Sequence, residues 1–259
     1  MDQQAGQIEA PPFRITWAAA SDTGHVRPQN EDAFSVTPDI PLFIVSDGMG
    51  GHEEGELAAH ICTEFTPERI QKKLAKLRSK RPKALRRLIR NTFPEVNHRV
   101  LEETVRRKQQ IPMGATLTLM LIKNNRACVG HLGDSRAYRL RGPRFTQLTS
   151  DHTSLAELTR KQAPPTLEIL VANLGAELTR YIGIDAKATP QVKTFLLQPH
   201  DRILLCSDGL SDALPDNQIK SVLKNNPDLP AACQRLIQAA NNHGGHDNIT
   251  TLLLQTNPL

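Results

Sequence analysis

Twice in this chain an apolar run ends in the same tripeptide. Phe43-Ile44-Val45 stops in Ser46-Asp47-Gly48, and Ile203-Leu204-Leu205-Cys206 stops in Ser207-Asp208-Gly209. Each run reads as a buried strand closed by a glycine turn. The echo suits a fold in which two sheets each send a strand end to the same rim. A carboxylate at the mouth of a buried strand, beside Gly, is poorly placed for packing and well placed to meet a cation. Asp134, in Gly133-Asp134-Ser135, and Asp247, in Gly245-His246-Asp247-Asn248, have similar turn settings. With the acidic pair Glu31-Asp32 they supply enough oxygen ligands for two hard metal ions.

The rest of the chain supplies the frame. Residues 1–12, ending in Pro11-Pro12, read as a flexible tail, and 13–259 as one domain. Strand patterns cover 13–20, the neighbourhood of Ala33 to Val36, and 42–46. From Glu54 the spacing changes: Leu57, Ala58, Ile61, Cys62 and Phe65 recur at helical intervals. Helical patterning runs to about residue 107, interrupted near Pro67, Pro82 and Pro94. Strands return at 115–122 and 126–132, joined by a turn at Lys123-Asn124-Asn125, and again from Arg136 to Leu140. A short helix is predicted over 153–161 behind a cap at Asp151 or Thr153, whereas 162–190, with three prolines, has no clear pattern. Strands follow at 192–197 and 202–207, helices at 216–225 and 229–242, and a closing strand at 248–255. This order is α+β rather than alternating βαβ. Its natural packing is two antiparallel sheets face to face, with helices outside.

Charge and cysteine usage narrow the setting. The net charge is +5, and the basic residues are concentrated in Lys72-Lys73, Arg78 to Arg81, Arg86-Arg87 and Arg106-Arg107-Lys108. Such clusters are either a solvated helix face or a patch for an anionic partner. No aromatic residues interleave with them, which argues against single-stranded nucleic acid. Cys62, Cys128, Cys206 and Cys233 are widely spaced, as expected of reduced thiols in a reducing compartment. The first residues resemble no signal peptide, and no apolar run approaches a membrane span.

Five segments hold the candidate chemistry. In residues 21–34 lie Arg27, whose planar fork suits a phosphate, and Glu31 and Asp32, which suit a metal or its water. A plain Arg27–Glu31 salt bridge is the alternative there. Asp47-Gly48-Met49-Gly50-Gly51-His52 permits close backbone approach and sets His52 just beyond a carboxylate, as a candidate proton donor or simply part of a turn. It lacks the Gly-Lys-Ser/Thr ending of a nucleotide P-loop. Gly130 to Arg139 carries Asp134 between two strands, and the last two turns carry Asp208 and Asp247.

Taken together and in this order, the chain resembles the metal-dependent Ser/Thr protein phosphatases of the PP2C (PPM) family, compact bacterial type. The resembling segments are Arg27 to Ala33, Val45 to Gly51, Gly130 to Arg139, Leu148 to His152, Leu178 to Gly183, Cys206 to Leu210 and Gly245 to Thr250. The resemblance implies a four-layer αββα sandwich with metals at one rim. It implies that Asp47 bridges both ions and that Asp208 and Asp247 hold one of them. Glu31 and the Gly48 carbonyl would serve the other, and Asp134 with Asp208 would form a third, weaker site. Asp32 would position the attacking water, Arg27 would hold the substrate phosphate, and His52 would protonate the leaving oxygen. All-oxygen ligands favour Mg²⁺ or Mn²⁺. One region departs from the family pattern: no Asp occurs from 152 to 184, so the third-site carboxylate that some bacterial members carry in a flap there is not matched.

The implied activity is hydrolysis of phosphoserine and phosphothreonine in proteins by direct water attack, without a phosphoenzyme. The competing classes are a catalytically silent phosphoprotein-binding regulator and a hydrolase of small phosphoesters or nucleotides. The expected partners are phosphoproteins, including a cognate Ser/Thr kinase or its targets, and neither nucleic acid nor membrane. The expected state is a cytoplasmic monomer.

Overall fold

The computed structural model describes residues 1–50, 53–77, 81–108, 112–161, 177–184 and 188–259. Its strands are β1 (Asp2–Ala10), β2 (Phe13–Asp22), β3 (Asp32–Thr37), β4 (Leu42–Met49), β5 (Gly114–Ala115), β6 (Leu117–Lys123), β7 (Arg126–Leu132), β8 (Arg136–Arg141), β9 (Arg144–Gln147), β10 (Gln191–Leu196), β11 (Arg202–Cys206) and β12 (Ile249–Pro258). Its helices are α1 (Glu53–Ala75), α2 (Pro82–Arg90), α3 (Phe93–Arg106), α4 (Ser154–Arg160), α5 (Asp208–Ser211), α6 (Asp216–Asn225) and α7 (Leu229–Asn242). Among the described residues these strands form two antiparallel sheets. One runs β1-β2-β12-β11-β8-β9, and the other runs β10-β7-β6-β4-β3 with β5 on the end of β4.

Period-two side-chain alternation sorts the apolar residues into three layers. Phe43 and Val45 of β4 face Ile203 and Leu205 of β11 and Leu252 and Leu254 of β12 between the sheets. Leu42 and Ile44 point the other way, into α1–α3, where they meet Ile61, Leu85, Ile89 and Phe93. Leu204 and Leu253 point outward from the first sheet into Ile219, Leu236 and Ile237 of α6 and α7. The result is the αββα sandwich. All four cysteines are buried and unpaired.

Two expectations need correcting. The first residues are not a loose tail: β1 pairs with β2 along its whole length, from Asp2 opposite Ser21 to Ala10 opposite Phe13. Its Gly6 lies flat against the Trp17 ring, where a Cβ would stand only 3.0 Å from the indole. Nor does Pro67 interrupt the helix; it lies inside α1. A proline there removes the bond to the carbonyl four residues back, that of Thr63. That carbonyl instead accepts from the Ser35 hydroxyl at 3.0 Å, so no buried acceptor is orphaned. Pro82 and Pro94 do stand in the first turns of new helices.

Candidate active site

The topology gathers the ends of strands that are remote in sequence. β3 begins where β4 ends, with Asp32 directly opposite Asp47. The tight turn from β7 to β8 carries Asp134, β11 runs into Asp208, and β12 starts just after Asp247. One cleft of about 470 Å³ is lined by Arg27, Glu31, Asp47, Gly48, Asp134, Asp208 and Asp247. Asp32 lies just behind it, buried. His52 and Gly51 lie outside the described residues, as do residues 162–176 and 185–187 of the region without a clear pattern.

Close backbone contact fixes the Asp47 loop. The Gly48 N–H donates to the Glu31 carbonyl at 3.1 Å. A Cβ on Gly48 would collide with the Gly55 carbonyl, and one on Gly55 would collide with the Glu31 carboxylate. Only two glycines let α1 start this close to both acids. The Asp47 N–H donates to Thr116 Oγ1 at 2.9 Å, and the Thr116 N–H returns a bond to the Asp47 carbonyl at 2.8 Å.

Asn248 and Ser207 brace the rest. The Asn248 side chain accepts from the Glu31 N–H at 2.8 Å and donates to the carbonyls of Thr23 and Gln29 at 2.9 and 2.8 Å. It ties the start of β12, in one sheet, to the loop leading into β3 of the other. The Ser207 hydroxyl donates to Asp32 Oδ2 at 2.7 Å and accepts from the Thr250 N–H at 2.9 Å. Sequence reasoning quoted both residues beside the carboxylates but gave them no role. Their bonds span 217 and 175 residues, and nothing local signals them. Thr116 left no signal in the sequence.

The electrostatics are those of crowded acids. Burial, then the charges of Asp208 and Asp247, pushes Asp32 up to about 7. Burial and the neighbouring Asp32 and Asp208 hold Asp47 well above the usual carboxylate range. Burial pushes Asp134 up to about 7, helped by Asp208, Asp151 and Asp212. Asp208 rises to about 6, through burial and Asp212. Two of these oxygens, Asp32 Oδ1 and Asp208 Oδ1, are buried with no hydrogen-bond donor among the described residues. The cleft's one cationic side chain among its described residues is Arg27, whose Nη2 donates to Asp247 Oδ2 at 2.7 Å. That bond raises the arginine's pKa further. Arg27 thus pairs with Asp247, and the nearby Glu31 adds to the field that keeps it charged.

The donor set fits hard divalent ions: it is all oxygen, it carries excess negative charge, and two acceptors wait without donors. Among the described residues no three His, Cys, Asp or Glu groups converge as one ligand cluster.

Comparison with known proteins bears on the same residues. A family model described as "Protein phosphatase 2C" matches residues 24–254. The serine/threonine phosphatase stp of Listeria welshimeri is 31% identical over 242 residues, covering 92% of this chain and 94% of that protein. The solved structure of PppA from Pseudomonas aeruginosa superimposes with a TM-score of 0.79 at 31% identity, covering 97% of this chain and 100% of that one. The catalytic domain of the phosphatase PstP, solved with two manganese ions, gives 0.76 at 31% identity, covering 94% of this chain and 98% of that one.

Proposed function

The chain belongs to the protein phosphatase 2C family, and on that premise we propose that it hydrolyses phosphoserine and phosphothreonine in proteins by direct attack of water, using two Mg²⁺ or Mn²⁺ ions. As a serine/threonine phosphatase it takes phosphoproteins as substrates. The observation that carries the finer reading is the crowding of carboxylates from both sheets into one cleft, with two buried oxygens lacking any donor among the described residues.

In this reading Asp47, Asp208 and Asp247, with Glu31 and the Gly48 carbonyl, hold the two ions, and Asp134 with Asp208 holds a weaker third. When bound, such ions neutralise phosphoryl charge and acidify water. Asp32 has one oxygen engaged by Ser207 and the other free. The free oxygen is the acceptor that aims the attacking water. Arg27 receives the phosphate. Its bridge to Asp247 is half-exposed on the Arg27 side, and bridges of that kind are weak enough to be exchanged for a dianion. His52 donates a proton to the departing Ser or Thr oxygen.

A cognate Ser/Thr kinase or its targets are the proposed substrates, and the chain acts as a monomer. Among the described residues no helix is long and apolar enough to cross a membrane. Four free buried thiols support a reducing, cytoplasmic setting.

The test is a panel of p-nitrophenyl phosphate, a phosphothreonine peptide and a nucleotide, each assayed with EDTA, Mg²⁺ or Mn²⁺. Metal-dependent release of phosphate from the peptide is expected. Turnover of the nucleotide alone, or of nothing, would refute the reading.

A further inference from the structure

We propose that the groove between the C-terminal end of α1 and α2 is a docking site for an acidic, leucine-bearing segment of the phosphoprotein substrate, remote from the phosphorylated residue. The proposal rests on the phosphatase reading above and assigns that enzyme a second point of contact with its substrate.

The charge distribution is the first observation. In residues 72–90, ten of nineteen residues are Lys or Arg and none is Asp or Glu, although the whole chain carries only +5. Lys83, Arg86, Arg87 and Arg90 stand on one face of α2, three and four residues apart. Its other face, Leu85, Leu88 and Ile89, is buried in the core beneath the helices. Nearby cations are neutralised: Arg69 and Lys73 share Glu95, and Lys72 takes Glu68. Among the described residues Lys76, Lys83, Arg86, Arg87 and Arg90 have no acidic partner. Like charges at this spacing oppose helix formation, so the array weakens α2 while creating a strong positive field at its surface.

The groove itself is the second. It holds about 490 Å³ and is lined by Lys76, Arg87, Leu77, Ala84 and Leu88, together with Asn91 and the Lys73–Glu95 ion pair. With Glu95 held by Lys73 and Arg69, the remaining cations beside an aliphatic surface match a chain that alternates acidic and aliphatic side chains. They match nucleic acid less well, since the groove offers no aromatic platform for bases.

The position of the groove relative to the catalytic cleft explains why such a segment would belong to the substrate. α1 joins the two places. It starts beside the cleft, where Gly55 meets Gly48 and Glu31, and runs 23 residues to the groove, roughly 35 Å at about 1.5 Å per residue. A substrate held at both ends keeps its phosphate near the cleft at an effective concentration on the order of 1 mM.

The experiment uses a phosphothreonine peptide joined through about 30 Gly/Ser residues, whose mean span is roughly 30 Å, to a segment of alternating Glu and Leu. The untailed peptide is the reference. The tail is expected to lower KM about tenfold with kcat unchanged. Lys76→Glu with Arg87→Glu should remove that advantage while leaving turnover of p-nitrophenyl phosphate intact. The neutral pair Lys76→Gln with Arg87→Gln, whose melting temperature should match the parent, should remove most of it. Equal KM values for tailed and untailed peptides on the parent enzyme would overturn the proposal. So would a short DNA duplex that displaces the labelled Glu–Leu segment more readily than unlabelled segment does. If neither phosphopeptide is turned over, the phosphatase reading fails instead. Fluorescence anisotropy of the labelled segment, tenfold weaker on the double Glu variant, would then still uphold the groove.

Discussion

Replacing Asn248 by alanine removes a side chain that makes three bonds between the start of β12 and the loop carrying Arg27 and Glu31. Three bonds of 2.8, 2.9 and 2.8 Å disappear together. Each is worth about 0.5–1.5 kcal/mol net. Asn248 is only 6% exposed, but Thr23 and Glu31 are half-buried and Gln29 is exposed, so water can replace part of what is lost. The sum then falls near about 2–3 kcal/mol. At roughly 2–4 °C per kcal/mol for a chain of this size, the melting temperature should fall by about 4–12 °C. Activity should suffer more than stability, because Glu31 and Arg27 ride on the released loop, and a displacement of about 1 Å can cost on the order of 10²-fold in rate. Asn248→Asp keeps the acceptor toward Glu31 but turns a carboxylate oxygen toward two carbonyls, so it should recover little. The assays are thermal melts and phosphopeptide kcat/KM, each with EDTA and with Mn²⁺. An alanine variant that melts within about 1 °C of the parent and keeps its rate would show that the loop holds itself in place.

Four further outcomes are expected. Asp208→Asn should abolish turnover in Mn²⁺ with an unchanged melting temperature; near-normal activity would refute the two-ion assignment. Arg27→Ala should chiefly raise KM for a phosphopeptide, with Lys a poor substitute because the fork is lost; an unchanged KM would leave Arg27 only its bond to Asp247. His52→Gln should cut kcat on a phosphothreonine peptide by about 10²-fold or more, and far less on p-nitrophenyl phosphate, whose leaving group needs no proton; equal losses would count against a proton donor. Burial and nearby cationic groups push the stacked pair His131 and His152 down to about 3. A histidine held below its unfolded value stabilises the fold above about 6.5 and loses that stability as pH falls toward 3. At pH 5.5 the cost is about 1.4 kcal/mol for each ring. The raised carboxylates of the cleft act in the opposite sense, so the readout is a comparison in saturating Mg²⁺: His131→Gln should lose less stability between pH 7.5 and 5.5 than the parent, and identical slopes would refute the buried neutral ring.

How much of this could be read beforehand depends on the range of the interaction involved. Helices predicted over 216–225 and 229–242 are α6 and α7 to the residue, because apolar residues at helical spacing are a local signal. β1 was missed for the opposite reason. Gln3-Gln4-Ala5-Gly6-Gln7 has no apolar alternation; its strand exists because β2 presents an edge to pair with and Trp17 needs a flat partner. Pro67 misled in the same way, since the donor that replaces its missing N–H comes from β3.

The cleft divides along the same line. Its carboxylates are legible because each must sit where a buried strand stops, and a strand stop is written in consecutive residues. The groups that position those acids are neutral. Asn248 on the Glu31 N–H and Ser207 on Asp32 act across the two sheets, and Thr116 acts on the Asp47 N–H within one. Neutral groups are the right choice there. Asn248 and Thr116 accept from backbone N–H groups, which a lysine or arginine cannot do, and a cation in place of Ser207 would cancel the negative charge that draws a divalent ion. The bracing residues therefore had to be Asn, Ser and Thr, common turn residues whose role becomes visible only once the strands are in register. The prediction for Asn248 is thus also a test of where the site keeps its precision. If the carboxylates alone fix the geometry, removing an uncharged brace changes little. If the braces fix it, the loss of one amide disables a cleft whose every charge is still present.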